Sequence, residues 1–155
     1  MSAIRCSAAL VDETLDELRA GGREGIERVV LWLSPRPLST APIIVEAYVP
    51  EQEADVDYFR IPPSGMTALM TYLRERRLVL AAQVHSHPAR AFHSLADDKW
   101  VIVRHEGALS IVVPNFAAAI DAGGFLGAAA VFRLTSDDKW REVKREDIGG
   151  AIQLT

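Results

Sequence analysis

The chain has one cysteine, no long apolar run and no excess of basic residues, and each shortage removes a class of protein. A lone Cys6, with no signal-peptide pattern before it, cannot build a disulfide framework and reads as a plain reduced thiol. The apolar stretches are interrupted well short of the ~20 residues that a membrane-spanning helix needs. With 17 Lys and Arg against 21 Asp and Glu, the net charge is −4, the wrong sign for a nucleic-acid binder. The one basic cluster, "RERR" at 74–77, falls at the end of an expected helix and reads as a solvated face. Repeats, low-complexity tracts and linkers are also missing. The 155 residues therefore read as one domain spanning 1–155, with about half of its side chains apolar and enough length for a core. A soluble cytoplasmic protein is the default expectation, with neither nucleic acid nor membrane as partner.

The pattern that is present alternates helices with short apolar runs. "SAALVDETLDELRA", residues 7–20, places Val11, Leu15 and Leu18 at helical spacing, and the glycines at 21 and 22 predict a stop. "RVVLWL" (28–33), "PIIVEAYV" (42–49) and "VDYFRI" (56–61) read as strands. Ser64 is the expected N-cap of a helix over 65–76, whose Met66, Leu69, Met70 and Leu73 form one apolar stripe. Strands are predicted over 78–87, 108–113 and 125–134, while the tail from Lys139 onward carries little signal. This order predicts an α/β domain in which helices flank a mixed sheet.

The strand 78–87 runs directly into "HSHPARAFHSLADDKW". Side chains two apart on a strand share a face, so His85 and His87 project together while Ser86 points away and Pro88 ends the ladder. Two imidazoles make half of a tetrahedral zinc site, and a carboxylate from beyond the loop, Asp97 or Asp98, would supply a third ligand and leave the fourth position to water. Either feature alone is weak. A His-x-His pair on a strand is more often structural than ligating, and Ser-x-x-Asp is also a helix-capping arrangement. In combination they are far more specific.

The combination resembles the JAMM motif of the JAB/MPN metallopeptidases: an upstream Glu, then His-x-His-Pro, a short loop and Ser-x-x-Asp. The resemblance implies an MPN/JAB-like fold, of the cytidine-deaminase-like kind, with one catalytic zinc held by His85, His87 and Asp97. It also implies that the Ser94 hydroxyl holds the oxyanion. The loop before Ser94 is a residue shorter than in the eukaryotic deubiquitinases, so counting from His85 would select Asp98; the local Ser-x-x-Asp spacing selects Asp97. For the general acid/base the resemblance calls for a Glu at the start of an early strand. Glu27 stands directly before "RVVLWL" and is preferred to Glu24, although without the zinc motif it would read as a surface carboxylate. The segment "VPEQEADVDYFRI" is similar to the family's connector, where Pro, Gln and an aromatic recur, and the match extends over about residues 8–134.

"FHSLADD…LSIVVPNF" is most similar to bacterial JAB proteins encoded beside ubiquitin-like conjugation components. This likeness implies a zinc isopeptidase or peptidase that cleaves after the C-terminal glycine of a ubiquitin-like protein. Activating and conjugating enzymes of the same operon become expected partners, and antiviral defence an expected setting. Two alternatives stay open: an inactive MPN-type scaffold, and a protease that processes sulfur-carrier proteins. His93 and His105 are assigned no catalytic role, and Trp32, Trp100 and Trp140 read as packing residues.

Overall fold

The computed structural model describes residues 3–54, 59–92 and 102–155. A six-stranded mixed sheet forms its centre, in the order β3-β2-β6-β7-β8-β9. Its strands are β2 (Val29–Pro35), β3 (Glu46–Tyr48), β6 (Leu78–Ser86), β7 (Leu109–Val113), β8 (Ala130–Leu134) and β9 (Trp140–Glu142). Only β6 and β7 run parallel; every other neighbouring pair is antiparallel. A ribbon of β4 (Glu53–Ala54) and β5 (Phe59–Arg60) stands apart, and β1 (Ile4–Cys6) pairs in parallel with β10 (Ile152–Leu154). This is the α/β arrangement expected from the alternating pattern.

Helix α1 (Ala8–Arg23) covers one face. Its N-cap is Ser7, whose hydroxyl accepts from the Leu10 amide at 3.1 Å. Val11, Leu15 and Leu18 are completely buried against Val30, Trp32, Ala82, Val84 and Ile111, in one cluster with Phe125 of α3 (Ala122–Ala128). Each such side chain contributes about 1.5–3 kcal/mol over exposure. On the opposite face, α2 (Pro63–Arg76) sets Leu69 and Leu73 against Val29, Leu31, Leu33 and Phe59. The sheet is thus sandwiched between helices, with β2 and β6 in its interior.

Several local expectations change in the fold. Helix α1 does not stop at Gly21 but continues through both glycines to Arg23, and the chain turns at Gly25, whose φ is +72°. Glycine serves close approach here: a Cβ on Gly21 would lie 3.0 Å from the Ile26 carbonyl oxygen. Ser64 lies inside α2, which starts one residue earlier with Pro62 as N-cap; its hydroxyl instead donates to Glu51 at 2.8 Å. Of the predicted stripe, Leu69 and Leu73 are buried, whereas Met70 is 44% exposed. The strand expected over 42–49 is reduced to Glu46–Tyr48 plus a bridge from Ile43 to Arg5.

The run 125–134 divides into the end of α3 and the strand β8. Asp121 caps the helix by accepting from the Gly124 amide, and the extended backbone of Ala129 separates the two elements. The tail is also structured: β10 lies beside β1, and Ile148, Ala151 and Ile152 join the cluster under α1. Among the described residues no helix is long and apolar enough to cross a membrane.

Two predictions come from this core. The buried Trp32 indole donates from Nε1 to Thr14 Oγ1 at 2.9 Å, and Thr14 in turn donates to the Leu10 carbonyl. Thr14→Val keeps the volume but strands the indole N–H, so urea unfolding should show a loss of about 1–3 kcal/mol; an unchanged midpoint would remove this bond from the stability of the fold. Burial also pushes the Cys6 thiol up to about 12. The thiolate is the reactive form, so at pH 8 the native protein should resist iodoacetamide and the urea-unfolded chain should alkylate; equal rates in the two states would contradict the burial.

Candidate metal centre

His85 is the penultimate residue of β6 and His87 follows the strand's last residue. Both imidazoles are buried, with ring centroids 5.2 Å apart, as the period-two reading requires. Backbone pairing fixes the pair from both sides. His85 lies opposite Val29 of β2 and Val112 of β7, and the His87 amide donates to the Val113 carbonyl at 2.9 Å. Rings close the walls: Phe59 stacks tilted on His85 at 5.1 Å, and Phe92 meets His87 edge-on at 4.6 Å.

Glu27 reaches the same place from the start of β2. It is only 1% exposed, and its Oε1 lies 3.7 Å from His87 Nε2, so the carboxylate belongs to the site and not to the surface. Glu24 is exposed and forms the C-cap of α1. Neighbouring backbone holds Glu27 against the histidine strand. The Arg28 amide donates to Ser86 Oγ and the Ser86 amide donates to the Arg28 carbonyl, both at 3.1 Å. Ser86, which the alternation turned away from the metal side, thus ties β2 to β6.

Gln52 is a residue of this site that motif reading did not single out. Its Oε1 accepts from the Val29 amide at 2.8 Å, and its Nε2 donates to the carbonyls of Val29 and Pro50, each at 3.1 Å. The side-chain amide imitates a neighbouring strand for Val29, the β2 residue that pairs with His85. Three residues of the connector thus have physical functions: the Pro50 carbonyl accepts from the amide, Gln52 holds Val29, and Phe59 covers His85. The spacing was visible in the sequence; the partner, 23 residues upstream, was not.

Beyond β7 the chain enters an unusual turn. Asn115, Phe116 and Ala117 have φ of +54°, +50° and +62°, and Ala119 follows at +58°. None is glycine, and left-handed backbone costs a residue with a Cβ about 1–2 kcal/mol. Hydrogen bonds hold the turn in place. The Asn115 amide donates to the Ala89 carbonyl and the Phe116 amide to the His87 carbonyl, both at 2.8 Å. Arg19 of α1 donates to the carbonyls of Ala117 and Ile120.

His85 and His87, buried together at one strand end, are nitrogen donors of the kind that a borderline cation such as zinc accepts, and Glu27 lies beside them. Among the described residues no group of three His, Cys, Asp or Glu is by itself placed to hold a metal. The expected third ligand, Asp97, its alternative Asp98, and Ser94 lie outside the described residues, as do His93 and Trp100. His105 stands apart near the opposite end of β6, where burial lowers its pKa. Trp32 is core, and Trp140 is half-buried on the edge strand β9. If Gln52 sets the start of β2, Gln52→Ala should cost about 1–3 kcal/mol in urea unfolding by leaving the Val29 amide unsatisfied; an unaltered stability would show that water replaces it.

No protein-family model matches the chain. It is 34% identical over 142 residues to a protein of Sinorhizobium fredii named a "probable metalloprotease", covering 89% of this chain and 85% of that one. Among solved structures it resembles a protein of Desulfitobacterium hafniense with a TM-score of 0.69 at 16% identity, over 98% of this chain and 92% of the other. A JAB1/MPN domain protein from Archaeoglobus fulgidus superposes with a TM-score of 0.53 at 13% identity, over 100% and 99% of the two chains. The extended identity and the shared fold carry one conclusion: this chain belongs to the same family as that probable metalloprotease and has the fold of a JAB1/MPN domain protein.

Proposed function

We propose that the protein is a zinc-dependent peptidase that cleaves the amide bond after the C-terminal glycine of a ubiquitin-like protein, from a precursor or a conjugate. The observation that supports it most directly is the burial of Glu27 beside His87, 3.7 Å from a histidine whose neighbour two residues back shares its side of the strand. In this reading His85, His87 and Asp97 hold one zinc ion. When bound, zinc supplies Lewis acidity, lowering the pKa of a water and polarising the scissile carbonyl.

The chain's own residues supply the remaining chemistry. The Glu27 carboxylate accepts the proton of the attacking water and delivers it to the amine nitrogen as the C–N bond breaks, so one water is added across one amide. Because Glu27 is shielded, the proton stays on the carboxyl group between the two transfers and is not lost to bulk water. The Ser94 hydroxyl donates a hydrogen bond to the carbonyl oxygen as negative charge gathers there. Support for a ubiquitin-like substrate comes from the similarity of "FHSLADD…LSIVVPNF" to bacterial JAB proteins encoded near conjugation components. Activating and conjugating enzymes of such an operon would then be its cytoplasmic partners, in a pathway suited to antiviral defence.

Zinc content and cleavage test the reading together. Protein supplied with zinc should hold one ion per chain by elemental analysis, and His85→Ala and Asp97→Ala should each lose it. Glu27→Gln should retain the ion while cleavage of a ubiquitin-like domain extended past its terminal glycine falls by about 10²–10⁴-fold. A native chain that takes up no zinc would sink the enzyme reading in favour of the scaffold. Retention of zinc by Asp97→Ala, with loss in Asp98→Ala, would move the third ligand by one residue.

A further inference from the structure

Neither the motif nor the proposed chemistry uses the left-handed turn after β7, yet that turn is bonded to a histidine of the site. The backbone of His87 is held at both of its polar groups by one segment: its amide donates to the Val113 carbonyl at 2.9 Å, and its carbonyl accepts from the Phe116 amide at 2.8 Å. The Asn115 amide fixes Ala89 two residues further on. Wherever 113–116 lies, His87 must lie with it.

The position of that segment is in turn set by α1. Gly22 lies against Phe116 so closely that a Cβ on the glycine would stand 2.4 Å from Phe116 Cβ, 3.0 Å from its Cγ and 3.3 Å from its carbonyl oxygen. The nearest atoms are therefore at the root of the side chain and in the backbone, where a rotamer change gives no relief. Arg19, one helical turn before Arg23, reaches over to the carbonyls of Ala117 and Ile120 and fastens the same turn. Helix α1 has no other evident need for glycine at position 22, since Gly22 has a helical φ and only Gly25 beyond it is left-handed.

We propose that Gly22 is a positioning residue: its missing Cβ lets the left-handed turn 115–117 seat against α1, and the turn sets the backbone of His87. The consequence for metal binding rests on the zinc reading above; the consequence for the backbone does not. A Gly22→Ala side chain pushes Phe116 outward, the turn follows, and the His87 carbonyl loses its donor. Phe116→Gly should be tolerated, because glycine adopts a φ near +50° freely. It should also make room for the alanine, so the two substitutions compensate.

The experiment compares Gly22→Ala, Phe116→Gly, the double variant, and Gly127→Ala, a helical glycine whose Cβ would meet nothing within 4 Å. In metal-free protein, Gly22→Ala should speed amide hydrogen exchange at His87 and Phe116 by about tenfold or more, while Val84 and Ile111 in the sheet keep their protection. Its zinc affinity, read by competition with a chelating dye, should fall by about 10–100-fold, the range for groups that orient a ligand. The double variant should recover both readings to within about threefold of Phe116→Gly. Exchange and affinity in Gly22→Ala that match Gly127→Ala, or a double variant as impaired as Gly22→Ala, would overturn the proposal. Loosened amides in a protein that never binds zinc would instead refute the metal reading and leave the positioning contact standing.

Discussion

The register between β2 and β6 is the constraint on which the site depends. Val29 is paired with His85, and Arg28 and Ser86 are joined by reciprocal hydrogen bonds, so Glu27 has one place to go. Because side chains alternate along a strand, a slip of one residue would turn His85 away from Phe59 and into the cluster under α1. That cluster is filled by Val84, Ala82 and Trp32 and has no room for an imidazole. The hydrophobic pattern on both faces therefore enforces the placement of three polar side chains that contribute nothing to it. A bulge at Trp32/Leu33, where β6 gives up Ala81 as an extra residue, lets both strands keep this phase over their full length.

How much of this the sequence disclosed depends on the range of the interaction. His85 and His87 are two residues apart on a strand that runs into proline, and a period of two suffices to put them together. Glu27 could be selected as the carboxylate at a strand start, but its burial follows from strands more than fifty residues apart meeting in register, which no local pattern reports. Gln52 is the same case in reverse. It stands in a polar connector, and its identity makes sense only once Val29 is beside it. The parallel pairing of β1 with β10 joins the two ends of the described chain, and three-residue strands have too little periodicity to predict such a partner.

Other misreadings come from residues whose local preference has more than one physical origin. Gly21 and Gly22 resemble a helix terminus because glycine favours one, yet both lie within α1, chosen for the closeness of Arg28 and Phe116. The run "FLGAAAVFRL" is apolar at nearly every position and short of charge, so helix and strand leave the same trace; Asp121 as cap and the extended Ala129 decide the boundary. Met70 fits the apolar stripe of α2 and is nevertheless 44% exposed, since α2 meets the sheet along a narrower line than the stripe allows.

The placement of the charged and titratable groups also explains why the surrounding structure is so thoroughly apolar. A buried carboxylate and two buried imidazoles forfeit hydration, and a low-dielectric setting makes that loss large unless partners replace the water. The site is therefore a cost borne by the fold, and the cost falls at the end of β6, where the flanking strands are dense with Val29, Leu31, Val112 and Val113. The left-handed residues at 115–117 add strain at the same end. Strain and buried polarity persist only where neighbouring contacts over-determine the geometry, and here helix α1 and strands β2, β6 and β7 do so. Helix α1 covers the sheet and, through Arg19 and Gly22, holds the strained turn. The features that stabilise the fold and those that organise the site are the same contacts seen from opposite faces of β6.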